Sequence, residues 1–407
     1  MADVPVIQIL DKKDYFKQVL VPFPNATFPP LGESSLRIRT EALCLTSNTF
    51  TYCRLGHLLA WWDVHPIPPN TPAPYNDTSV YGRINCWGYA KVLESTFDGV
   101  PKGSYVWGYQ PIGTLPQDIT VKTGNVPGQV ICTDAFRQKQ LPFYNRYTVF
   151  PASLSKEIEA KSDSIAYGAL VRVMHLTGYV MTEFMFPPNP KDSVSLKPEQ
   201  ADLTDATVIT FAPGSKVGLA FTQLLRSSAR TGSKPSKIIG AASEYALAFV
   251  QSTGSYDDVA STSDDPLAVL SRLGVPKDGK VVIYDFGGRA GVAMKWAAAI
   301  KSAYANTLFV AIGVEVSDPT AAGAPPPPPE GLDVAMVSAD ALQTLGCGKV
   351  GERAYFEGLN KSWDEFQKTG IKGLRITWGE GMEDVKKGWD RFARNEVQAD
   401  EGLVFKV

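Results

Sequence analysis

Histidine is nearly absent: His57, His65 and His175 are the only three in 407 residues. A mechanism built on a histidine cluster has little to draw on. Cysteine is sparse too. Cys44, Cys53, Cys86, Cys132 and Cys347 are odd in number, widely spaced and without a C-x-x-C. That argues against a disulfide framework or structural zinc site, and for buried thiols in a reducing compartment. Neither sign of charge is in excess: 40 basic against 42 acidic residues give −2. A polyelectrolyte is excluded, and the basic stripe that nucleic-acid binders carry is not seen. No window approaches the ~18–20 apolar residues of a membrane span. Met1–Leu20 carries Asp3, Asp11, Lys12, Lys13, Asp14 and Lys17 and lacks the apolar stretch of a signal peptide. The expectation is a cytoplasmic protein with a small-molecule substrate and neither nucleic-acid nor membrane partners. The sequons at Asn25, Asn76 and Asn360 then carry no meaning.

What the chain does have is glycine (35), proline (30) and a hydrophobic content of 44%. Such a chain can bury a core without metal or disulfide staples, and its length suits two or three domains. Residues 1–165 are rich in Pro, Tyr and Trp. Leu36–Cys44 alternates as a strand; Trp87–Leu93 and Tyr105–Tyr109 read as further short strands between turn residues. This texture predicts a small β-barrel or sandwich. A helical stretch, Ser164–Phe184, follows. From Ala206 the period changes. Ala206–Ala212 is an apolar β-branched run suited to a parallel strand buried on both faces. Ser215–Arg230 reads as a helix, Lys237–Gly240 as a strand, Ser243–Ser252 as a helix, Lys280–Asp285 as a strand, Ala290–Ala305 as a helix and Leu308–Gly313 as a strand. That alternation predicts a doubly wound parallel sheet over 166–384. An amphipathic helix at Glu383–Arg394 and a strand at Gly402–Val407 close the chain, with 385–407 expected to return to the first domain. Ala324–Pro329 reads as a stiff surface insertion.

A doubly wound sheet binds ligands beyond the carboxyl ends of its strands. The first such turn is Pro213-Gly214-Ser215-Lys216-Val217-Gly218. Set against G-x-G-x-x-G it keeps only Gly218, with Gly214 displaced by one. Phosphate binding needs a helix N-terminus and room for the backbone to approach; Gly214 and Ser215 are small, and Ser215 is a natural cap. Lys216 is expected to compensate the poorer turn by pairing with a phosphate. The second strand ends Ile239-Gly240-Ala241-Ala242-Ser243 without the acid that NAD enzymes place there. This small polar tip favours NADP(H), with Ser243 and Tyr245 as contacts. Gly287, after the next strand, Lys280–Asp285, lets the chain pass close to the nicotinamide ribose.

These elements resemble the medium-chain dehydrogenase/reductase superfamily, which joins a GroES-like β-barrel domain to a Rossmann domain. Gly103-Ser104-Tyr105-Val106-Trp107-Gly108 resembles its G-D-x-V-x-G strand, and Val217-Gly218 the opening of its cofactor helix. A closer likeness is to a fungal and bacterial group known as domain of unknown function 2855. Its N-N-x-T-Y, W-G, Y-N-x-Y, S-K-T-A and T-S-x-x-N elements are similar to Asn48-Thr49-Phe50-Thr51-Tyr52, Trp87-Gly88, Tyr144-Asn145-Arg146-Tyr147, Ser215-Lys216-Val217-Gly218 and Ala242-Ser243-Glu244-Tyr245-Ala246. Thr49, Val217, Gly218, Ala242 and Ala246 depart from that pattern. The superfamily's zinc branch uses a Cys and a His and a four-cysteine lobe; Ser47 or Asn48 occupies the Cys position here and the lobe is missing, so no metal is expected. The remaining resemblance, to zinc-independent enoyl and quinone reductases, implies reduction of an activated C=C or C=O bond, with a secondary metabolite as a plausible substrate. Asn48 and Tyr52 are then the candidate catalytic groups, and Tyr147 with Asn145 the opposite wall. Trp61, Trp62 and Trp87 would flank a flat substrate, and Arg137 and Arg146 would steer an anion. A homodimer is an open expectation. The alternatives are a redox-neutral isomerase, cyclase or lyase, and a nucleotide-binding accessory protein.

Overall fold

The structure, a computed structural model, describes residues 4–313 and 328–407. Most of the expected proline insertion, Ala324–Pro329, lies outside the described residues. The fold is α/β, as expected: a closed β-barrel is joined to a doubly wound parallel sheet.

The barrel is organised by one long strand, Ser35–Leu45. Its alternation puts Leu36 and Ile38 into an interior shared with Ala90, Val92, Val106, Ile119, Val121, Val130 and Tyr147. It pairs along its length with Asn85–Ser95. The sheet then runs through Tyr105–Pro111, Arg146–Phe150, Gln129–Cys132 and Gln117–Thr123, and the last of these pairs back to Ser35–Ile38. Register shifts at Arg37/Ile38 and Thr40/Ala42 bend the long strand, as β-bulges do. The bend frees its second half to pair with Glu401–Lys406, against which Arg375–Glu380 lies in parallel. The chain therefore ends in the sheet where the barrel begins. A separate three-stranded sheet holds the hairpin Val6–Asp11 and Gln18–Pro22 against Tyr81–Gly82.

The parallel sheet has the order Asp258–Ser261, Lys237–Ala242, Thr207–Phe211, Val281–Asp285, Thr307–Ala311, Asp333–Met336. Thr207–Phe211 is buried on both faces, as its unbroken apolar run requires. The strand order reverses between Thr207–Phe211 and Val281–Asp285, which is where such sheets open a crevice.

Three helical readings need revision. Ser164–Phe184 is two α-helices, Asp163–Leu170 and Arg172–Val180, followed by a π-turn, Met181–Met185. The helix expected over Ser215–Arg230 stops at Leu225. Beyond it Arg230 turns inward and donates to the carbonyls of Thr182, Phe186 and Ser233 at 2.8–3.0 Å. Two helices absent from the sequence reading, Ala339–Val350 and Glu352–Thr369, complete the core. The second buries Tyr355, Phe356, Leu359, Trp363 and Phe366 at helical spacing, a pattern that was open to recognition.

Gly88 lies inside the strand Asn85–Ser95, which the sequence reading placed at Trp87–Leu93. A Cβ there would overlap the Ala42 carbonyl oxygen and lie 2.9 Å from Leu43 Cα, so glycine permits the close approach at the bulge. Gly88→Ala is expected to cost about 2 kcal/mol or more, read as a lower urea midpoint with unchanged slope.

Candidate functional site

The first strand-to-helix turn of the parallel sheet is built without its usual glycines. Ala212 takes the left-handed conformation, φ +51°, at a strain of about 1 kcal/mol for a residue with a Cβ. Pro213 follows, and Ser215 caps the helix Lys216–Leu225, its hydroxyl accepting from Gly218 N at 3.1 Å. A Cβ at Gly218 would sit 3.0 Å from that hydroxyl oxygen and 3.2 Å from the Ala212 carbonyl, so this glycine lets the helix start close to the strand end. Gly214 packs under Phe249 and Val250, 3.3 Å from where its Cβ would be. Tyr256, which the sequence reading passed over, donates to the Pro213 carbonyl at 2.8 Å and covers Gly240. It holds the turn where a glycine fingerprint would have relied on backbone freedom. Val217 opens the helix beside Lys216.

Lys216 does not project from this turn into open space. Its ammonium donates to the Glu401 carbonyl at 2.8 Å, at the start of the C-terminal strand. Burial lowers its pKa to about 8 against the partial compensation of Cys44 and Glu401. Cys44 is in the barrel strand paired with Glu401–Lys406, and its thiol donates to the Ala169 carbonyl at 3.0 Å. The lysine expected at a phosphate thus fastens the first turn of the parallel sheet to the barrel.

The second turn presents Ser243, exposed and free of any side-chain cap bond. Glu244, the only acid at this strand end, is held by Ser261, whose hydroxyl donates to it at 2.5 Å. Tyr245 is 56% exposed and donates to the Val397 carbonyl at 3.1 Å. Arg289, also missed, reaches from the fourth turn to Asn395 at 2.6 Å. Segment 395–397 therefore touches the rim of the crevice from both sides. Gly287 has φ +116°, and its amide, with that of Gly288, donates to Asp285 Oδ1 at 2.9 and 2.6 Å.

On the barrel side the helix Ser47–Arg54 follows directly from the long strand. Asn48 and Tyr52 are four residues apart and therefore stand on one face. Asn48 Nδ2 donates to the Tyr52 hydroxyl at 2.5 Å, and Trp87 Nε1 donates to the same oxygen at 2.9 Å. Tyr52 packs on Trp61, Tyr109 and Tyr144 at centroid distances of 4.7–5.8 Å. Burial raises its pKa against the lowering effect of Trp87, Tyr144 and Asn48, so it stays protonated at neutral pH. Asn48 is the member that reaches the surface. Trp87 also lines a narrow cavity of about 30 Å³ with Trp107, Phe143, Arg172, His175 and Trp363, room for about one water.

Tyr147 is not brought to this group. It is fully buried in the barrel interior; Arg137 donates to its hydroxyl at 2.7 Å, and it donates to the Tyr109 carbonyl at 3.1 Å. Asn145 also binds Arg137, at 3.0 Å, and Arg137 is itself completely buried. Tyr147, Asn145 and Arg137 form an internal polar knot rather than a substrate wall. Arg146 pairs with Glu352 at 2.5 Å. Trp61 packs behind Tyr52, and Trp62 borders a different cavity. Among the described residues no three His, Cys, Asp or Glu side chains cluster as a metal site, and no helix is long and apolar enough to cross a membrane.

Residues 43–398 match the family described as "Protein of unknown function (DUF2855)". No curated protein matches the chain. Among solved structures the fold is similar to that of Escherichia coli quinone oxidoreductase complexed with NADPH, at 14% identity and TM-score 0.57 over 99% of both chains. It is similar to a mutant enoyl thioester reductase from Candida tropicalis, at 12% identity and TM-score 0.57 over 100% of both chains. CurA from Vibrio vulnificus, in complex with NADPH, is alike at 11% identity and TM-score 0.55 over 99% of both chains.

Lys216 offers a test of the turn's construction. Its folded pKa is about 8 against an ordinary 10.5. Between those values the unfolded chain binds more protons than the folded one, so this lysine makes stability rise with pH. The wild-type stability minus that of Lys216→Met, from urea titrations, is expected to climb from pH 8 to pH 10.5 and to be flat below. A second expectation concerns Tyr52→Phe, which leaves the Trp87 N–H without its acceptor. It should lower stability by about 1–3 kcal/mol.

Proposed function

The chain belongs to the DUF2855 family, and from that premise we propose that it is a zinc-independent, NADPH-dependent reductase of an activated C=C bond, or of C=O, in a small molecule. One observation carries the reading. Lys216, at the start of the first helix of the parallel sheet, donates to the Glu401 carbonyl, and the strand Glu401–Lys406 pairs with the end of the barrel strand that leads into the helix bearing Asn48 and Tyr52. The strand reversal that suits a dinucleotide and the hydrogen-bonded set Asn48–Tyr52–Trp87 thus meet across one junction. Of the named structures of similar fold, one is an enoyl thioester reductase and one a quinone oxidoreductase, and two were seen with NADPH.

The residues present fit that cofactor. The helix start at Gly214, Ser215, Lys216, Val217 and Gly218 offers first-turn amides to a pyrophosphate. Exposed Ser243, whose neighbouring acid Glu244 is engaged by Ser261, and Tyr245, with Arg289 bound through Asn395 at the same rim, suit a 2′-phosphate; Asp400 and Glu401 also act on Tyr245, and Arg391 is paired with Glu401. Gly287 leaves the backbone room beside the ribose. When bound, the cofactor supplies hydride to the substrate. The chain's part is to position the substrate and to stabilise the developing oxyanion. Asn48 has a second amide hydrogen beyond the one given to Tyr52, and it is directed to the substrate oxygen. Tyr52 orients Asn48 and, kept protonated by burial, holds the proton that neutralises the product.

A second reading, a nucleotide-binding protein without hydride transfer or a redox-neutral catalyst, is favoured by two features. Pro213 and Ser215 stand where glycines serve dinucleotide turns, and the Lys216 ammonium is engaged by Glu401. A secondary-metabolite substrate and a cytoplasmic location belong to the leading proposal.

Fluorescence titration separates the readings. NADPH is expected to bind about tenfold or more tightly than NADH, and Arg289→Ala to weaken NADPH alone by about tenfold. Absence of NADPH binding would sink the reductase. Binding without cofactor oxidation across enones and quinones would favour the second reading. Where turnover is found, Asn48→Ala should lower kcat about 10²-fold with little change in KM.

A further inference from the structure

On the far side of the Trp61–Asp63 turn from Tyr52 lies a cavity of about 220 Å³, apart from the cofactor crevice. It is bounded by Trp62, His65, Ile67, Phe136 and the basic side chains Lys12, Arg83 and Lys139, with Asp63 as the lone carboxylate. Arg83 is 3% exposed, and its Nε has no partner. No carboxylate of the described residues pairs with it, and burial alone pulls its pKa down. A buried guanidinium without an anion is costly, so this one calls for an explanation.

The hydrogen-bond count beside it points the same way. Gln117 satisfies its amide when its oxygen accepts from the two terminal nitrogens of Arg83, at 2.6 and 2.9 Å, and its nitrogen faces His65 Nδ1 at 2.5 Å. His65 Nδ1 must then accept, so its proton sits on Nε2. That atom faces Arg137 Nη1 at 3.2 Å, and donor meets donor. Turning Gln117 over relieves His65 but removes the acceptor from Arg83. The row Arg83–Gln117–His65–Arg137 is one acceptor short. An oxyanion in the cavity supplies it: the Arg83 guanidinium draws away from Gln117 to donate to the anion, which frees Gln117 to turn and accept from His65 Nδ1 while His65 Nε2 accepts from Arg137.

We propose that this cavity is a binding site for the oxyanion, phosphate or carboxylate, of a small molecule. Arg83 is its buried anchor and Lys139 its mouth. The volume exceeds a bare ion, being the share of about seven waters. Trp62, Ile67 and Phe136 provide an apolar wall for the group that bears the anion. The proposal does not rest on the reductase reading.

Phenyl phosphate, benzoate and inorganic phosphate would be titrated by calorimetry at constant ionic strength. The proteins would be the wild type, Arg83→Gln, Lys139→Gln and Lys216→Ala. Saturable binding of phenyl phosphate or benzoate is expected, weakened about tenfold by Arg83→Gln and about threefold by Lys139→Gln, and unchanged in Lys216→Ala. Preference for phenyl phosphate marks a phosphate ligand; preference for benzoate marks a carboxylate. Should Arg83→Gln fail to fold, exposed Lys139 decides alone. No saturable binding to the wild type, equal binding by the Lys139 variant, or loss in Lys216→Ala overturns the proposal.

Discussion

The backbone pairing of one strand, Ser35–Leu45, governs the molecule. Its first half closes the barrel against Gln117–Thr123, and its second half takes the C-terminal strand Glu401–Lys406. An antiparallel ladder is set by register, and two bulges let a single strand serve both partners. Everything at the candidate site hangs from this. Cys44 is carried to the junction, the helix bearing Asn48 and Tyr52 starts two residues after the strand ends, and the Glu401 carbonyl is presented to Lys216.

Around that strand several polar side chains are buried. Arg83, Arg137, His65, Asn85, Gln110, Asn145 and Gln129 are all buried. Arg137 is held by the neutral oxygens of Asn145, Tyr147 and Tyr144, which is how a charge survives away from water. Arg83 has no comparable set. The same accounting of donors and acceptors explains why Tyr147 belongs to the structure and Tyr52 to the site. The hydroxyl of Tyr147 is used up inside the barrel. That of Tyr52 gathers two donors at the end of a helix whose Asn48 faces outward.

Much of this was legible in the residues. The apolar runs Ala206–Ala212 and Lys280–Asp285 announce parallel strands because a strand covered on both faces has no polar side. The alternation of Leu36–Cys44 announces a strand with one interior face. Asn48 and Tyr52, four apart, are an adjacent pair on any helix. The helix Glu352–Thr369 was equally open to reading. The end of the nucleotide helix at Leu225 was not, because Arg230 is drawn inward by carbonyls far along the chain.

By itself the sequence determined the class of fold, much of the strand and helix alternation between 206 and 313, and the small-residue turn before Lys216, because these follow from local periodicity and residue size. Only the tertiary structure decided where charges point. Lys216 meets Glu401 across 185 residues, Tyr256 clasps Pro213, and Arg83, paired with no carboxylate, is sealed beside a cavity. Such pairings depend on which segments the barrel and the sheet bring together. No local pattern encodes the distance between a side chain and a partner so remote in the chain.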